Sequence, residues 1–339
     1  MSERKTHCIF QTGFIGDIAL TMFLLEELRI GKSQDRIIFI TTPLGAEIAH
    51  AYPEIIDEVI VFDKRGKGKG ISGMQSIIAE IKKVSPDTIL SLHQSMRSSL
   101  IIGFSGIPTR IGYVSSSLSI MYNHRFPYQK GIHEIDRQRT LLHAIDPDIF
   151  PLNSIQRRTY LSNPQSDTMD IIKDRCIVIA PGSIWETKKW PASYYKELID
   201  SILDSATQSI CLIGSKADHE LCNSIIPDNH RDRVINLAGK MHLGHTLRLL
   251  QSSSLLIAND SAPIHLASLV NCPTIAIFGP THPAFGFAPL SDSSSIFQKN
   301  LPCRPCSIHG QVSCPLGTHA CMRDITPSDI LSSTLNYLS

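Results

Sequence analysis

The stretch LLIANDSAPIHLASLVNCPTIAIFGP, residues 255–280, decides the fold class. Leu255 to Ala258 is a short unbroken apolar run that reads as a strand. Ala262 to Leu269 follows with helical length, and Thr274 to Phe278 is a second strand-like run ending at Gly279-Pro280. A strand with one face in water alternates polar and apolar residues, so runs without alternation imply parallel strands covered by helices on both sides. The polar turn Asn259-Asp260-Ser261 then lies at the carboxyl end of a strand, where open α/β sheets bind ligands.

The same rhythm extends outward in both directions. Upstream, Cys176 to Ala180 reads as a strand, Ser193 to Ser205 as a helix and Ser209 to Ile213 as a strand ending at Gly214. Near the start, strand-like runs Thr6 to Phe10, Arg36 to Thr41, Glu58 to Phe62 and Thr88 to Leu92 alternate with helical stretches Asp17 to Leu28, Gly45 to Ala51 and Ser72 to Val84. Between Asp146 and Gln165 the pattern lapses into Pro, Asn and Ser around Arg157 and Arg158, as expected of an inter-domain connection. The expectation is an α/β chain of two doubly wound, Rossmann-like domains, residues 1–160 and 161–325. The second carries a Cys-rich segment, 301–322. A closing helix lies within 326–339, with Thr326 as N-cap and Pro327 at its first position.

Composition fits and excludes alternatives. A length of 339 residues is about two domains' worth. With 42% hydrophobic and 19% charged residues the chain fills cores and is not disordered. Lys and Arg total 32 against 31 Asp and Glu, a net +1, which argues against a nucleic-acid binder and requires any anionic partner to be held locally. No apolar run approaches the roughly 18 residues of a membrane span, and the charged start has no signal-like apolar core, so a cytoplasmic protein is expected. Nine Cys without a secretion signal point to reduced thiols or a metal site over a disulfide framework.

Three turns at strand ends carry candidate chemistry. In Thr12-Gly13-Phe14-Ile15-Gly16-Asp17 the glycines permit a sharp turn and close backbone approach to a ligand. A dinucleotide fingerprint would need a third glycine where Ala19 stands and a carboxylate after the second strand, which ends Thr41-Thr42. Asp17 reads either as a helix cap or as a site carboxylate. In Pro181-Gly182-Ser183-Ile184-Trp185-Glu186-Thr187-Lys188-Lys189-Trp190-Pro191, hydroxyls and an ammonium can hold a diphosphate, or the loop is simply solvated. In Asn259 to Ala267, Asp260 is placed as an N-cap and Ser261 and Ala262 offer amides at the positive end of a helix. His265 lies one turn in, where a histidine is more often structural.

Taken in order, Gly16-Asp17-Ile18, the PGS loop ending KKWP, Asn236-Leu237-Ala238-Gly239-Lys240, NDSAPIHLA, Phe278-Gly279-Pro280-Thr281 and the late cysteines resemble glycosyltransferase family 9, the ADP-heptose:lipopolysaccharide heptosyltransferases. The likeness runs from about Ile9 to Thr326, and the Cys-rich tail looks most like the heptosyltransferase II branch. It implies a GT-B fold with two Rossmann-like domains facing a central cleft, acceptor on the N-terminal half, nucleotide-sugar on the C-terminal half, and a last helix that crosses back onto the first domain. It implies inverting transfer of heptose from ADP-heptose with no catalytic metal and no cofactor. Asp17 falls on the family's base and Lys188 on the lysine beside the diphosphate. Ser183, Thr187, Gly239, Asp260, Ser261, Ala262 and His265 fall in the donor-binding blocks, and Gly16 lies beside the base. Two departures stand out: Ala262 replaces a usual glycine, and Pro263 removes one N–H donor.

Lys64, Arg65, Lys67 and Lys69, spaced by glycines, form a local basic run that reads as a solvated face or as a mobile grip on an anionic acceptor. Arg97, Arg110 and Arg137 are further acceptor candidates. An acceptor carried by a lipid would bring the enzyme, expected as a monomer, to the inner face of the cytoplasmic membrane. Cys303, Cys306, Cys314 and Cys321 can hold structural Zn²⁺, with His309 and His319 as substitutes, or stay free thiols. Cys8, Cys176, Cys211 and Cys272 read as core. Three other functions compete: a related transferase for another nucleotide-sugar or acceptor, a non-catalytic Cys-rich binding protein, and an NAD-dependent oxidoreductase.

Overall fold

The computed structural model describes residues 4–151 and 175–338. The chain forms two compact units, 1–161 and 162–339. Most of the expected connection, with Arg157, Arg158 and the 160/161 boundary, lies outside the described residues.

The first unit runs β1 (Thr6–Gln11), α1 (Ile15–Gly31), β2 (Arg36–Thr41), α2 (Pro43–Ala49), β3 (Glu58–Val61), α3 (Gly70–Val84), β4 (Thr88–Ser91), α4 (Met96–Phe104), β5 (Thr109–Tyr113), β6 (His124–Phe126) and α5 (Glu134–Leu142). Its strands are all parallel in the order β3-β2-β1-β4-β5-β6. The central β1 buries Cys8, Ile9 and Phe10, as its unbroken apolar pattern requires.

The second unit runs β7 (Ile177–Ala180), α6 (Ala192–Ser205), β8 (Ile210–Leu212), α7 (His219–Ser224), β9 (Val234–Asn236), α8 (Leu243–Ser252), β10 (Leu255–Asn259), α9 (Ala262–Leu269), β11 (Thr274–Ile277), β12 (Ser294–Phe297), α10 (Ala320–Arg323) and α11 (Pro327–Leu338). The order β12-β11-β10-β7-β8-β9, again all parallel, repeats the topology of the first. Each sheet therefore has one point where strand order reverses, between β1 and β4 and between β7 and β10. Crevices for ligands open at the carboxyl ends there.

Some elements escape the sequence pattern for identifiable reasons. The edge strands β6 and β12 are short and partly exposed, so they carry no apolar run. Helix α5, rich in charged residues, buries Glu134, Arg137, Gln138 and Arg139. It can do so because its charges are paired: Arg137 with Glu134 at 2.5 Å and Arg139 with Glu27 of α1 at 2.5 Å. The closing helix α11 was expected on the first unit. Its apolar face, with Ile330 and Thr334 fully buried, packs on α6 and joins the core of the second unit, so that burial ties it there. Cys8, Cys176, Cys211 and Cys272 are core residues as expected, and Cys222 joins them.

Candidate functional site

In the second unit, the loop after β7 and the turn after β10 meet at the point where strand order reverses. Asn259, fully buried at the end of β10, joins them: its amide nitrogen donates to the Pro181 carbonyl at 2.8 Å, and its carbonyl accepts from Trp190 N at 3.1 Å and Tyr195 O–H at 3.1 Å. Trp190 in turn donates from Nε1 to the Ile325 carbonyl at 2.9 Å. These bonds fix the KKWP loop. Within it a short 3-10 turn, Glu186–Lys188, brings the Lys188 ammonium 2.6 Å from the Asp260 carboxylate, with the two side chains only 12% and 7% exposed. Thr281 donates its hydroxyl to the same Asp260 oxygen at 2.6 Å. Lys189 instead pairs with the exposed Glu186.

Asp260 does not cap α9. Its carboxylate is engaged by Lys188 and Thr281, and the N-cap is Ser261, whose hydroxyl donates to the Asn259 carbonyl at 3.3 Å and makes no cap bond. Ser261 and Ala262 open α9 at the positive end of its dipole, with Pro263 next. His265 is buried one turn in, its ring edge-on to Phe287. Ser183 is half-buried and accepts from Trp185 N at 3.2 Å. Gly239 lies past β9, two strands from β7. It has a left-handed φ of +72°, and a Cβ there would meet the Lys216 backbone at 2.6 Å, so the turn itself demands glycine.

Thr187 is not a donor-facing hydroxyl. It is buried, donates to the Gln311 carbonyl at 3.1 Å and accepts from Gln311 N at 2.8 Å. The Cys-rich segment therefore folds onto the lysine loop, a contact no local pattern signals. A cavity of about 10 Å³ between them is lined by Thr187, Pro280, Cys306, Gln311, Cys314, Pro315, His319 and Cys321. All nine cysteines are free thiols. Among the described residues no group of three or more His, Cys, Asp or Glu is arranged to hold a metal ion, so of the two readings of Cys303, Cys306, Cys314 and Cys321 the tetrahedral set is not assembled. Backbone N–H groups of residues 316–319 surround Cys314 and lower the pKa of its thiol.

In the first unit, the turns after β1 and β4 meet in the same way. Asp17 sits in the first turn of α1 and accepts from Phe14 N at 3.2 Å. Burial pushes its carboxyl up to about 6, the buried Glu134 adding to the shift while the Phe14 amide and Lys64 oppose it. Gly13 leaves the space, since a Cβ there would lie 2.8 Å from an Asp17 carboxylate oxygen. Gly16 is beside it. The Lys64 ammonium donates to the Thr12 carbonyl, and Arg97 donates to the Lys64 carbonyl at 3.2 Å, so both cations stand at this turn. His93, which the sequence reading passed over, contacts Thr12, Ser95 and Ser98 through Nδ1. Burial and Lys64 push its pKa down to about 4, which keeps it neutral at pH 7.

The other arginines belong elsewhere. Arg137 is 3% exposed, bonded to Glu134, to Tyr128 O–H at 2.6 Å and to the Ile132 carbonyl at 2.7 Å. Arg110, near the start of β5, donates to the Met121 and Ile107 carbonyls, at the end of the sheet away from the ligand crevice. Both hold the fold and are withdrawn as acceptor contacts. Arg65, Lys67 and Lys69 are exposed. Their segment is a hydrogen-bonded turn, not a loose loop: Asp63 accepts from Gly66 N at 2.9 Å and its carbonyl from Gly68 N at 2.8 Å.

Comparison with known proteins agrees with this fold. The model of glycosyltransferase family 9 (heptosyltransferase) matches residues 74–314. The chain is similar to lipooligosaccharide heptosyltransferase 2 of Haemophilus influenzae, 24% identical over 307 residues that cover 86% of this chain and 87% of that protein. It shares its fold with ADP-heptose lps heptosyltransferase II of E. coli, with a TM-score of 0.79, 23% identity and 98% of each chain covered. An E. coli heptosyltransferase solved with ADP-2-deoxy-2-fluoro heptose superposes with a TM-score of 0.72 at 16% identity, covering 98% of this chain and all of that one. The chain is a glycosyltransferase and belongs to glycosyltransferase family 9, the heptosyltransferase family.

Proposed function

We propose that the enzyme transfers L-glycero-D-manno-heptose from ADP-heptose to a hydroxyl of the lipopolysaccharide inner core, inverting the anomeric centre and using no metal. The observation that carries this reading is the largely buried ion pair of Lys188 and Asp260 at the point of strand reversal in the second unit. Displacement at an anomeric carbon breaks the bond to the diphosphate oxygen, and negative charge builds on ADP as it leaves. The Lys188 ammonium and the amides that open α9 supply positive charge there without a divalent ion. Asp260 keeps the ammonium in place before the diphosphate arrives, and Thr281 orients Asp260.

Asp17 takes the proton of the attacking hydroxyl. A carboxylate near pKa 6 is a far better proton acceptor than an ordinary one and is still mostly ionised at pH 7. Lys64 and Arg97 beside it suit an acceptor bearing phosphates or carboxylates, as does the exposed Arg65, Lys67 and Lys69 turn. The exposed apolar residues Ile71 and Met96 open α3 and α4 next to these cations, which favours peripheral contact with the inner, anionic face of the cytoplasmic membrane. Among the described residues no helix is long and apolar enough to cross a membrane.

The test is ADP release from ADP-heptose in the presence of a heptose-bearing inner-core acceptor, with the product's anomeric configuration read by NMR. Inverted product supports the reading. Turnover only with another nucleotide-sugar, or retained configuration, overturns it.

A further inference from the structure

We infer that the Cys-rich segment positions Lys188 for the reaction, with Thr187, Gln311 and His319 as the positioning residues. The inference rests on the reading of Lys188 given above. The segment grips the 3-10 turn from both sides. On one side Gln311 makes a closed pair with Thr187: Thr187 N donates to the Gln311 carbonyl at 3.1 Å, and Gln311 N donates to the Thr187 hydroxyl at 2.8 Å. On the other, His319 Nε2 donates to the Thr187 carbonyl at 2.8 Å. Thr187 thus has its amide, carbonyl and hydroxyl all engaged by one distant segment, and Lys188 is the next residue.

The lysine stem is touched as well. Gly310 has φ +100°, and a Cβ added there would lie 2.7 Å from Trp185 Cβ and 3.2 Å from Lys188 Cγ. Only glycine lets the segment come this close. The same segment holds the other member of the ion pair. Cys306 N donates to the Pro280 carbonyl at 2.9 Å and Arg304 to the Thr281 carbonyl at 2.7 Å, and Thr281 is the residue that orients Asp260. Both ends of the pair therefore take their positions from the Cys-rich segment.

A solvated loop would let a long lysine side chain sample many rotamers, and an ammonium displaced by about 1 Å loses much of its effect on a developing charge. Positioning and mere folding make different forecasts. Thr187→Val keeps the shape and removes the two hydroxyl bonds. Thr187→Ser keeps them. If the segment positions Lys188, turnover in Thr187→Val falls by roughly tenfold to a hundredfold, ADP affinity measured by calorimetry changes far less, and Thr187→Ser restores turnover. His319→Ala gives the same split, and His319→Gln, which keeps an N–H at similar reach, recovers it. Should Thr187→Val not fold, the His319 pair carries the test alone.

Wild-type turnover in folded Thr187→Val and in His319→Ala overturns the positioning role. So does a loss that tracks only the melting temperature and is not rescued by Ser or Gln. Lys188→Ala is measured beside them. If it too turns over normally, the fault lies in the reading of Lys188 and not in the clamp.

Discussion

For a single carboxylic acid, usefulness as a base depends on how far its proton affinity approaches neutrality. Asp17, pushed up to about 6, predicts an acid limb in kcat/KM near pH 6, well above an ordinary aspartate. His93, held near 4, cannot produce that limb. Asp17→Asn is expected to lower turnover by roughly 10²- to 10⁴-fold and to leave ADP affinity unchanged, because in the proposed reaction the group acts on the acceptor hydroxyl. The stability sign follows from linkage: a carboxyl with a raised folded pKa favours the folded state below its unfolded pKa, and that contribution is lost as pH rises through about 6. Above pH 6, Asp17→Asn should therefore melt no lower than wild type in a thermal scan. Lys188→Ala is expected to cost roughly 2–4 kcal/mol of transition-state stabilisation. Part of that loss arises because Asp260 would then face the diphosphate unneutralised, so Lys188→Ala/Asp260→Asn should recover some ADP affinity. Lys189→Ala, which breaks only an exposed pair with Glu186, should change kcat little. Cys314 lies among backbone amides that favour its thiolate, so it should be the first cysteine labelled by iodoacetamide as pH is raised, as peptide mapping would show.

At the scale of elements, the basic segment before α3 divides into two parts. Lys64 is tied to the β1 turn by its bond to the Thr12 carbonyl, and Arg97 at the start of α4 braces it. Arg65, Lys67 and Lys69 project from the turn into solvent. Like charges this close repel, so neutralising the exposed three to Ala should raise acceptor KM at low salt and leave ADP affinity alone. Raising salt should mimic the variant in wild type, given a screening length of ~8 Å at physiological ionic strength. An unchanged acceptor KM at low salt would return these residues to a solvated face. Helix α9 shows a complementary economy: Pro263 gives up one N–H, yet as the second helical residue it also fixes the start of the helix that presents Ser261 and Ala262.

For the whole molecule, the two units repeat one topology, each with its candidate residues at its own point of strand reversal. A nucleotide that binds only the folded state raises the melting temperature, by about 2.7 kcal/mol of stability at a hundred times its Kd. ADP should do so, and UDP, GDP and NAD at equal concentration should do so much less. The absence of an NAD response is expected because β2 ends at Thr41 and Thr42, and Thr42 spends its hydroxyl capping α2 by accepting from Gly45 N at 3.2 Å. Initial rates in EDTA should match those without it. A chelator-sensitive rate restored by Mg²⁺ or Mn²⁺ would contradict the metal-free reading.

Apolar runs such as Leu255 to Ala258 and Thr274 to Phe278, alternating with helical stretches, indicated by themselves parallel strands covered on both faces. The turns that bring Asp17, Lys188 and Asp260 to strand carboxyl ends were legible for the same reason, whereas the choice of Lys188 over Lys189 came from the family resemblance alone. What the sequence alone could not determine were contacts between residues far apart in the chain. Asp260 reads as a helix cap until Lys188, 72 positions earlier, is seen to claim its carboxylate. Arg137 and Arg110 read as acceptor contacts until Glu134, Tyr128 and backbone carbonyls are seen to bury or bind them. Thr187 reads as a ligand hydroxyl until Gln311 is seen to occupy it. The physical reason is the same in each case: a polar group's role depends on which partner satisfies it, and only the folded chain brings that partner within hydrogen-bond reach.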